Sequence, residues 1–403
     1  MTPRDFLSAY DPHALQPLEH TACSGAALSV AAGERVGIAL LERGGPQSPD
    51  QIESFLYRLL MDPVAVDIPV GGNLRHWLCC SLARLHAGSM RSKYNMIGGS
   101  SPANRLVREQ AHALQSLLKR RANAGTVSFR VYAALRHGTP SFEDTVRAMQ
   151  QDDLDQVVLI PLHPHYSAAT TGAMLAYWTA LRNAGDAPQW PTTTTCAYAT
   201  NAKYIQALSE RIDEGLQRFP PDERDSVPLV FSTLGMPDAI PNLLQGDAAS
   251  GSRHHVQPTV DAIMSRQPSG RDHYVAFERR SRWSDGVAPA LTRTLGSLAR
   301  AGTRSVLVVP LAFVADHVET MCELDIEMRE QADALGIAHY EVASALNSHP
   351  LFIDALSDVA LNHLHLPDDA VSFEGDGTSG DDVPVPSVAP NDTDASSSAP
   401  SAE

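Results

Sequence analysis

Two short apolar runs, Val157-Val-Leu-Ile-Pro-Leu162 and Val306-Leu-Val-Val-Pro-Leu311, are near copies of one another. Each is rich in β-branched residues and interrupted by proline, which reads as a strand buried on both faces of a parallel sheet. A parallel sheet needs a crossover after each strand, so the segments around each copy must supply helices. In the first half Arg35–Leu41, Thr126–Ala134 and Gln156–Pro161 read as strands. In the second half Val227–Phe231, His273–Phe277, Ser305–Pro310 and the weaker Ala338–Val342 do so. Helical spacing runs through Pro102–Arg121, carried by Leu106, Ala113, Leu114, Leu117 and Leu118. It recurs in Ala290–Ala301 and Asp316–Leu335, with Gly302 and Gly336 placed to close them. The expected architecture is α/β, two similar units that are each a parallel sheet flanked by helices. We place the first at 35–190 and the second at 191–366, with the junction inside 181–226. Residues 1–34 carry few periodic apolar positions and read as an N-terminal extension.

Composition narrows the function. The 403 residues carry a net charge of −16, which argues against broad nucleic-acid binding. From Asp368 to Glu403 there are nine acidic residues and no basic one. Such a stretch cannot repay its ordering entropy by burial, so 367–403 reads as a disordered acidic tail. Five cysteines, at 23, 79, 80, 196 and 322, form no C-x-x-C pair and no four-ligand cluster. That count suits a reducing compartment and gives no sign of an iron–sulfur cluster. The most apolar run, Val306–Val314, is far short of the roughly 20 residues needed to span a bilayer. The expectation is a cytoplasmic protein with at most peripheral membrane contact. Leu74 to Leu85, mixing apolar and basic residues at near-helical spacing, is either the segment for such contact or a surface helix.

In open α/β sheets ligands sit beyond the carboxyl ends of the strands, so the post-strand loops carry the chemistry. Four stand out. Glu42-Arg-Gly-Gly-Pro46 permits close backbone approach, but it is no phosphate loop or dinucleotide fingerprint. Arg136-His-Gly-Thr-Pro-Ser141 offers an anion or metal site, or an ordinary turn. Pro161 to Gly172 holds His163, His165, Tyr166 and Ser167 ahead of a helix start, where a negative group is welcome. His163 and His165 point the same way if that loop is extended. Asp316, Glu319, Glu323, Glu327 and Glu330 recur at helical steps and share one face. That row is either a solvated acidic face or a site for a hydrated divalent cation.

These four loops, in this order, resemble those of ferrochelatase, the iron chelatase family of haem biosynthesis. The resemblance covers roughly 35–365. Its landmarks are Leu40 to Pro46, Phe55 to Pro63, Ile97-Gly-Gly-Ser-Ser-Pro102, Arg136 to Ser141, Pro161 to Gly172, and Phe313-Val-Ala-Asp-His-Val-Glu-Thr-Met-Cys-Glu323. It implies two Rossmann-like, chelatase-like domains around a tetrapyrrole cleft. It implies Fe²⁺ as substrate and porphyrin or haem as ligand, with no further cofactor. Glu319 is implied to bind metal or take a proton, with Asp316 and Glu323 on the metal route. Arg136 and His137 are implied to line the porphyrin; His163, Tyr166 and Ser167 are further candidates, and Arg43, Arg136, Arg279 and Arg280 are candidates to pair with its carboxylates.

The chain departs from the pattern at its catalytic point. The family histidine sits in a Ser-x-His-Gly-x-Pro motif, and here that motif reads Ser232-Thr-Leu-Gly-Met-Pro237. Leu234 has no lone pair and accepts no proton. Glu42-Arg43 stands where Asn-Leu or Asn-Met is usual, and tyrosines of two loops become His137 and His163. The expected function is therefore tetrapyrrole binding by a divergent family member without ordinary iron insertion. One alternative is an active ferrochelatase in which His137 substitutes as base. Another is a non-catalytic partner of a haem-pathway enzyme.

Overall fold

The computed structural model describes residues 1–10, 27–66, 68–123, 126–235, 248–279 and 289–372; side chains at 234, 235, 248–255, 277–279, 289 and 290 lie outside that description. Met1–Ser372 forms one compact unit. Its first half holds α1 (Pro3–Ala9), β1 (Leu28–Ser29), β2 (Arg35–Glu42), α2 (Ile52–Met61), α3 (Gly72–Met96), α4 (Ala103–Arg121), β3 (Ser128–Leu135), α5 (Phe142–Gln151), β4 (Gln156–Pro161), α6 (Ala173–Asn183) and β5 (Thr192–Thr194). The second half holds α7 (Ala202–Leu216), β6 (Leu229–Gly235), α8 (Ala248–Met264), β7 (His273–Arg279), α9 (Pro289–Arg300), β8 (Ser305–Pro310), α10 (Met328–Ala334), β9 (His339–Val342), α11 (Pro350–Leu361) and β10 (Leu364–His365).

The two main sheets share one topology. The first runs β3-β2-β4-β5 and the second β7-β6-β8-β9, with each described pairing parallel. The two near-copied apolar runs are β4 and β8, each with all six residues buried. Burial on both faces is why they carry no polar alternation. The chain order of each half therefore brings β2 and β6 to equivalent inner places, with β4 and β8 beside them. The α/β expectation holds, with parallel sheets flanked by helices.

One core runs between the sheets. Leu40, Val158 and Ile160 of the first sheet join Leu229, Phe231, Leu307 and Val309 of the second, with α4, α7 and α11 side chains among them. The outer face of the first sheet is covered by α5, α6 and α1, and that of the second by α9 and α10. The C-terminal helix α11 packs on α4 and α7, and β10 pairs with β1.

Three local departures from the sequence reading have physical causes. First, the start of the chain is ordered. Thr2 and Asp5 cap α1 reciprocally, Pro3 takes its first turn, and Phe6 is buried against Tyr177 and Phe142. Second, Asp316–Leu335 is not one α-helix: a π-helical turn spans Glu319–Glu327 before α10 begins. A matching π-helical turn, Ala168–Gly172, precedes α6. Such turns insert a residue into the helical register and are common at functional sites. Third, Cys196 is disulfide-bonded, which the scattered cysteines did not suggest, whereas Cys79, Cys80 and Cys322 are free thiols. The tail from 373 onward lies outside the described residues. No described helix is long and apolar enough to cross a membrane.

Candidate functional site

The carboxyl ends of β2, β3, β4 and β8 bring their loops together. The loop after β2 is held by Asn104 of α4. Asn104 Nδ2 donates to Gly45 O at 2.7 Å, and its Oδ1 accepts from Gly45 N at 3.1 Å. Gly138 of the next loop lies against the same amide, and a Cβ there would stand 2.4 Å from Asn104 Oδ1. Gly44 takes a φ of +71°, which an L side chain resists. Glycine at both places is therefore a packing requirement.

This clamp sets the direction of Arg43. Its Nη2 lies 2.7 Å from Glu319 Oε1, across 276 residues of sequence, and its guanidinium lies over the Phe313 ring at 5.3 Å. Glu319 is buried and the Arg43 side chain is 17% exposed. At that burial the pair is worth holding intact, because losing one partner strands the other charge.

Asp316, Glu323 and Glu327 of the acidic row are also engaged. Asp316 accepts from Asn347 Nδ2 at 2.8 Å and from the Thr320 hydroxyl at 3.2 Å. Glu323 and Glu327 share Lys93 of α3, at 3.1 and 3.0 Å. Lys93 went unnoticed in the sequence, where nothing local marks it. Glu330 is exposed on α10. The row is thus divided among an asparagine, an arginine and a lysine instead of forming one open acidic face.

Arg136 is spent too. Its Nε and Nη2 lie 3.1 and 3.0 Å from Asp62 Oδ2, and its guanidinium stacks 3.5 Å from the Tyr177 ring centroid. Asp62 is the aspartate of the Asp-Pro landmark after α2. His137 is buried, edge-on to Phe55, and Arg58 Nη2 donates to its carbonyl at 3.3 Å. Burial pushes the His137 pKa well below the ordinary imidazole value, and Arg136, Arg58 and Arg43 add to it.

His163 and His165 do not act together. His165 Nε2 bonds Thr259 of α8 at 2.8 Å. His163 turns into the protein, 3.9 Å from Glu42 Oε1 and edge-on to Phe313. His317 approaches the same oxygen at 3.6 Å and stacks on Phe313 at 4.5 Å. Burial pushes the Glu42 carboxyl up, but His163, His317 and the Arg43 backbone N–H outweigh it and hold it below the ordinary range. Burial also lowers His163, toward its neutral ring. A neutral His163 brings no charge to Glu42, which leaves His317 and the Arg43 N–H, 2.7 Å from Oε1, to hold the carboxyl low. Glu42 and His317 belong to the loop motifs, but nothing in the sequence marks them as meeting each other.

Ser167 Oγ bonds Thr170 Oγ1 at 2.7 Å, and Tyr166 packs against the outer core of the first sheet. Leu234 and Arg279 end β6 and β7, in register with Glu278 and Gly235. Their side chains lie outside the described residues. Among the described residues no group of three or more His, Cys, Asp or Glu side chains could hold a metal ion.

The ferrochelatase family pattern matches residues 35–364. The chain belongs to the ferrochelatase family. It is 32% identical over 330 residues to the ferrochelatase of Gloeobacter violaceus, covering 82% of this chain and 98% of that one. It is likewise 32% identical over 326 residues to the ferrochelatase of Citrifermentans bemidjiense, covering 81% and 97%. Among solved structures it is similar to SirB from Bacillus subtilis with Fe³⁺, with a TM-score of 0.46 and 11% identity over 82% of this chain and 96% of that one. CbiX, described as the terminal enzyme of sirohaem biosynthesis in denitrifying bacteria, gives 0.42 and 11%, over 81% and 99%. The family assignment of this ferrochelatase-family chain rests on the sequence matches alone.

Proposed function

We propose that this ferrochelatase-family protein binds a tetrapyrrole without performing ordinary iron insertion. The observation that carries the reading is the buried pair of Arg43 with Glu319. A metallating site needs a carboxylate open to Fe²⁺, the substrate cation, or to a departing pyrrole proton. A guanidinium is protonated at every working pH, so Arg43 neutralises Glu319 and repels an incoming cation. Lys93 pairs with both Glu323 and Glu327, its single charge offsetting one of the two carboxylates. Leu234, at the position of the family histidine, supplies neither a ligand nor a base.

His137 is a poor substitute base. Three guanidiniums oppose its protonated form, so it would take a pyrrole proton only weakly. Arg43 and Arg136 are held by Glu319 and Asp62. That leaves Arg279 and Arg280 as the sequence candidates for a ligand carboxylate.

Titration of the wild-type protein with metal-free protoporphyrin IX and coproporphyrin III tests the reading. Saturable binding of one equivalent, at about 10 μM or tighter, is expected. A double variant carrying Arg43→Met and Leu234→His should then gain iron insertion. Absence of porphyrin binding would overturn the proposal and favour the role of a non-catalytic partner.

A further inference from the structure

Arg58 is a guanidinium that the reading above leaves without work. It stands in the last turn of α2, where the carbonyl end of a helix favours a cation. Arg43, Arg58 and Arg136 all act on His137. Two of the three have carboxylates: Arg43 pairs with Glu319, and Arg136 with Asp62. Asp62 follows Arg58 by only four residues, yet both of its oxygens are taken. Its Oδ2 meets Arg136, and its Oδ1 accepts from the Val64 and Ala65 backbone N–H groups at 3.0 and 3.1 Å.

Arg58 keeps a single weak contact. Its Nη2 donates to the His137 carbonyl at 3.3 Å, long for a charged donor. Among the described residues it meets no carboxylate. The side chain is half-buried, and none of its nitrogens is both buried and unpaired, so the donors left over reach water. Burial, and after it Arg136, push its pKa below the ordinary guanidinium value. An anion beside it would oppose both effects.

A guanidinium in that state suits a planar oxyanion, because its fork meets both oxygens of a carboxylate at once. A porphyrin of the kind considered above is a flat apolar ring with carboxylates on its rim. The contact with the His137 carbonyl keeps Arg58 beside the 136–137 loop. We propose that, on the tetrapyrrole reading above, Arg58 pairs with a rim carboxylate of the ligand and so fixes the orientation of the ring. It selects carboxylated tetrapyrroles over neutral ones of the same shape.

Wild-type protein and Arg58→Gln, each titrated with metal-free protoporphyrin IX and with its dimethyl ester, test this. The ester keeps the ring and loses the negative charges. Wild type should bind the acid more tightly than the ester. Arg58→Gln should weaken binding of the acid by about tenfold or more, the worth of one charge-assisted pair, and leave the ester unchanged. Arg58→Lys, which keeps the charge without the fork, should restore part of the affinity for the acid. Equal weakening of acid and ester would make Arg58 a structural residue and overturn the proposal. So would no weakening of either, or an ester that wild type binds as tightly as the acid. In those outcomes a porphyrin still binds, so tetrapyrrole binding survives the loss of this role for Arg58. Wild type that binds neither porphyrin removes both together.

Discussion

Three guanidiniums act on His137 electrostatically from three parts of the chain: Arg43 after β2, Arg58 on α2 and Arg136 after β3. Burial alone disfavours the imidazolium, and these charges disfavour it further. The consequence is a stability that depends on pH with a definite sign. In the unfolded chain His137 takes a proton near pH 6.5; in the folded protein its pKa is far lower. The contribution is fully present above about 6.5 and is lost as pH falls, by up to about 1.4 kcal/mol per pH unit for one proton. Urea midpoints of the wild type should fall from pH 7 to pH 5, and His137→Phe should flatten that fall. Equal slopes in the two proteins would show that His137 does not stay neutral. His137 could be picked as a candidate from its motif. What it could not reveal there is its company, because Arg43 and Arg58 arrive from a distant loop and a distant helix.

At the scale of elements, α1 is the least obvious piece. Its signature was present in Thr2-Pro3 and Asp5, a capping box with proline at the first turn. With only seven residues it has too little helix propensity to stand alone, so it exists because Phe6 reaches the outer core. Phe6 lies 5.0 Å from the Tyr177 ring and 5.0 Å from the Arg136 guanidinium. Phe6→Ala should release α1 while the sheets hold. Hydrogen exchange at residues 3–9 should become unprotected, with β2 and β4 amides unchanged. Retained protection at 3–9 would mean that α1 is held by something other than Phe6. The π-helical turn at 319–327 is the element sequence reasoning missed. Its spacing of acidic residues satisfies an α-helix equally well, and the choice is made by tertiary partners such as Lys93 and Arg43, not by local pattern.

For the whole molecule, the duplicated Pro-ended strands carried most of what could be read. Parallel pairing needs both faces covered, so two near-identical buried runs already demand two sheets with helices around them. The edge of the first sheet shows the finish that composition cannot supply. Gln115 of α4 bonds Phe129 O and Val131 N, and Thr145 bonds Ala133 O, so the outer rim of β3 is capped by side chains. The site was legible as positions and illegible as pairings. Arg43 and Glu319 were both picked out, yet nothing in two segments 276 residues apart shows that one neutralises the other. That pairing decides whether Glu319 can meet a metal. The measurement that reaches it most directly is an anaerobic assay of wild-type protein with Fe²⁺ and protoporphyrin IX or coproporphyrin III. Bound porphyrin and no haem formation above the uncatalysed rate are expected. Multiple turnovers at an enzyme-like rate of about 1 s⁻¹ or more would contradict this, since they would require Glu319 to be open while Arg43 is in place.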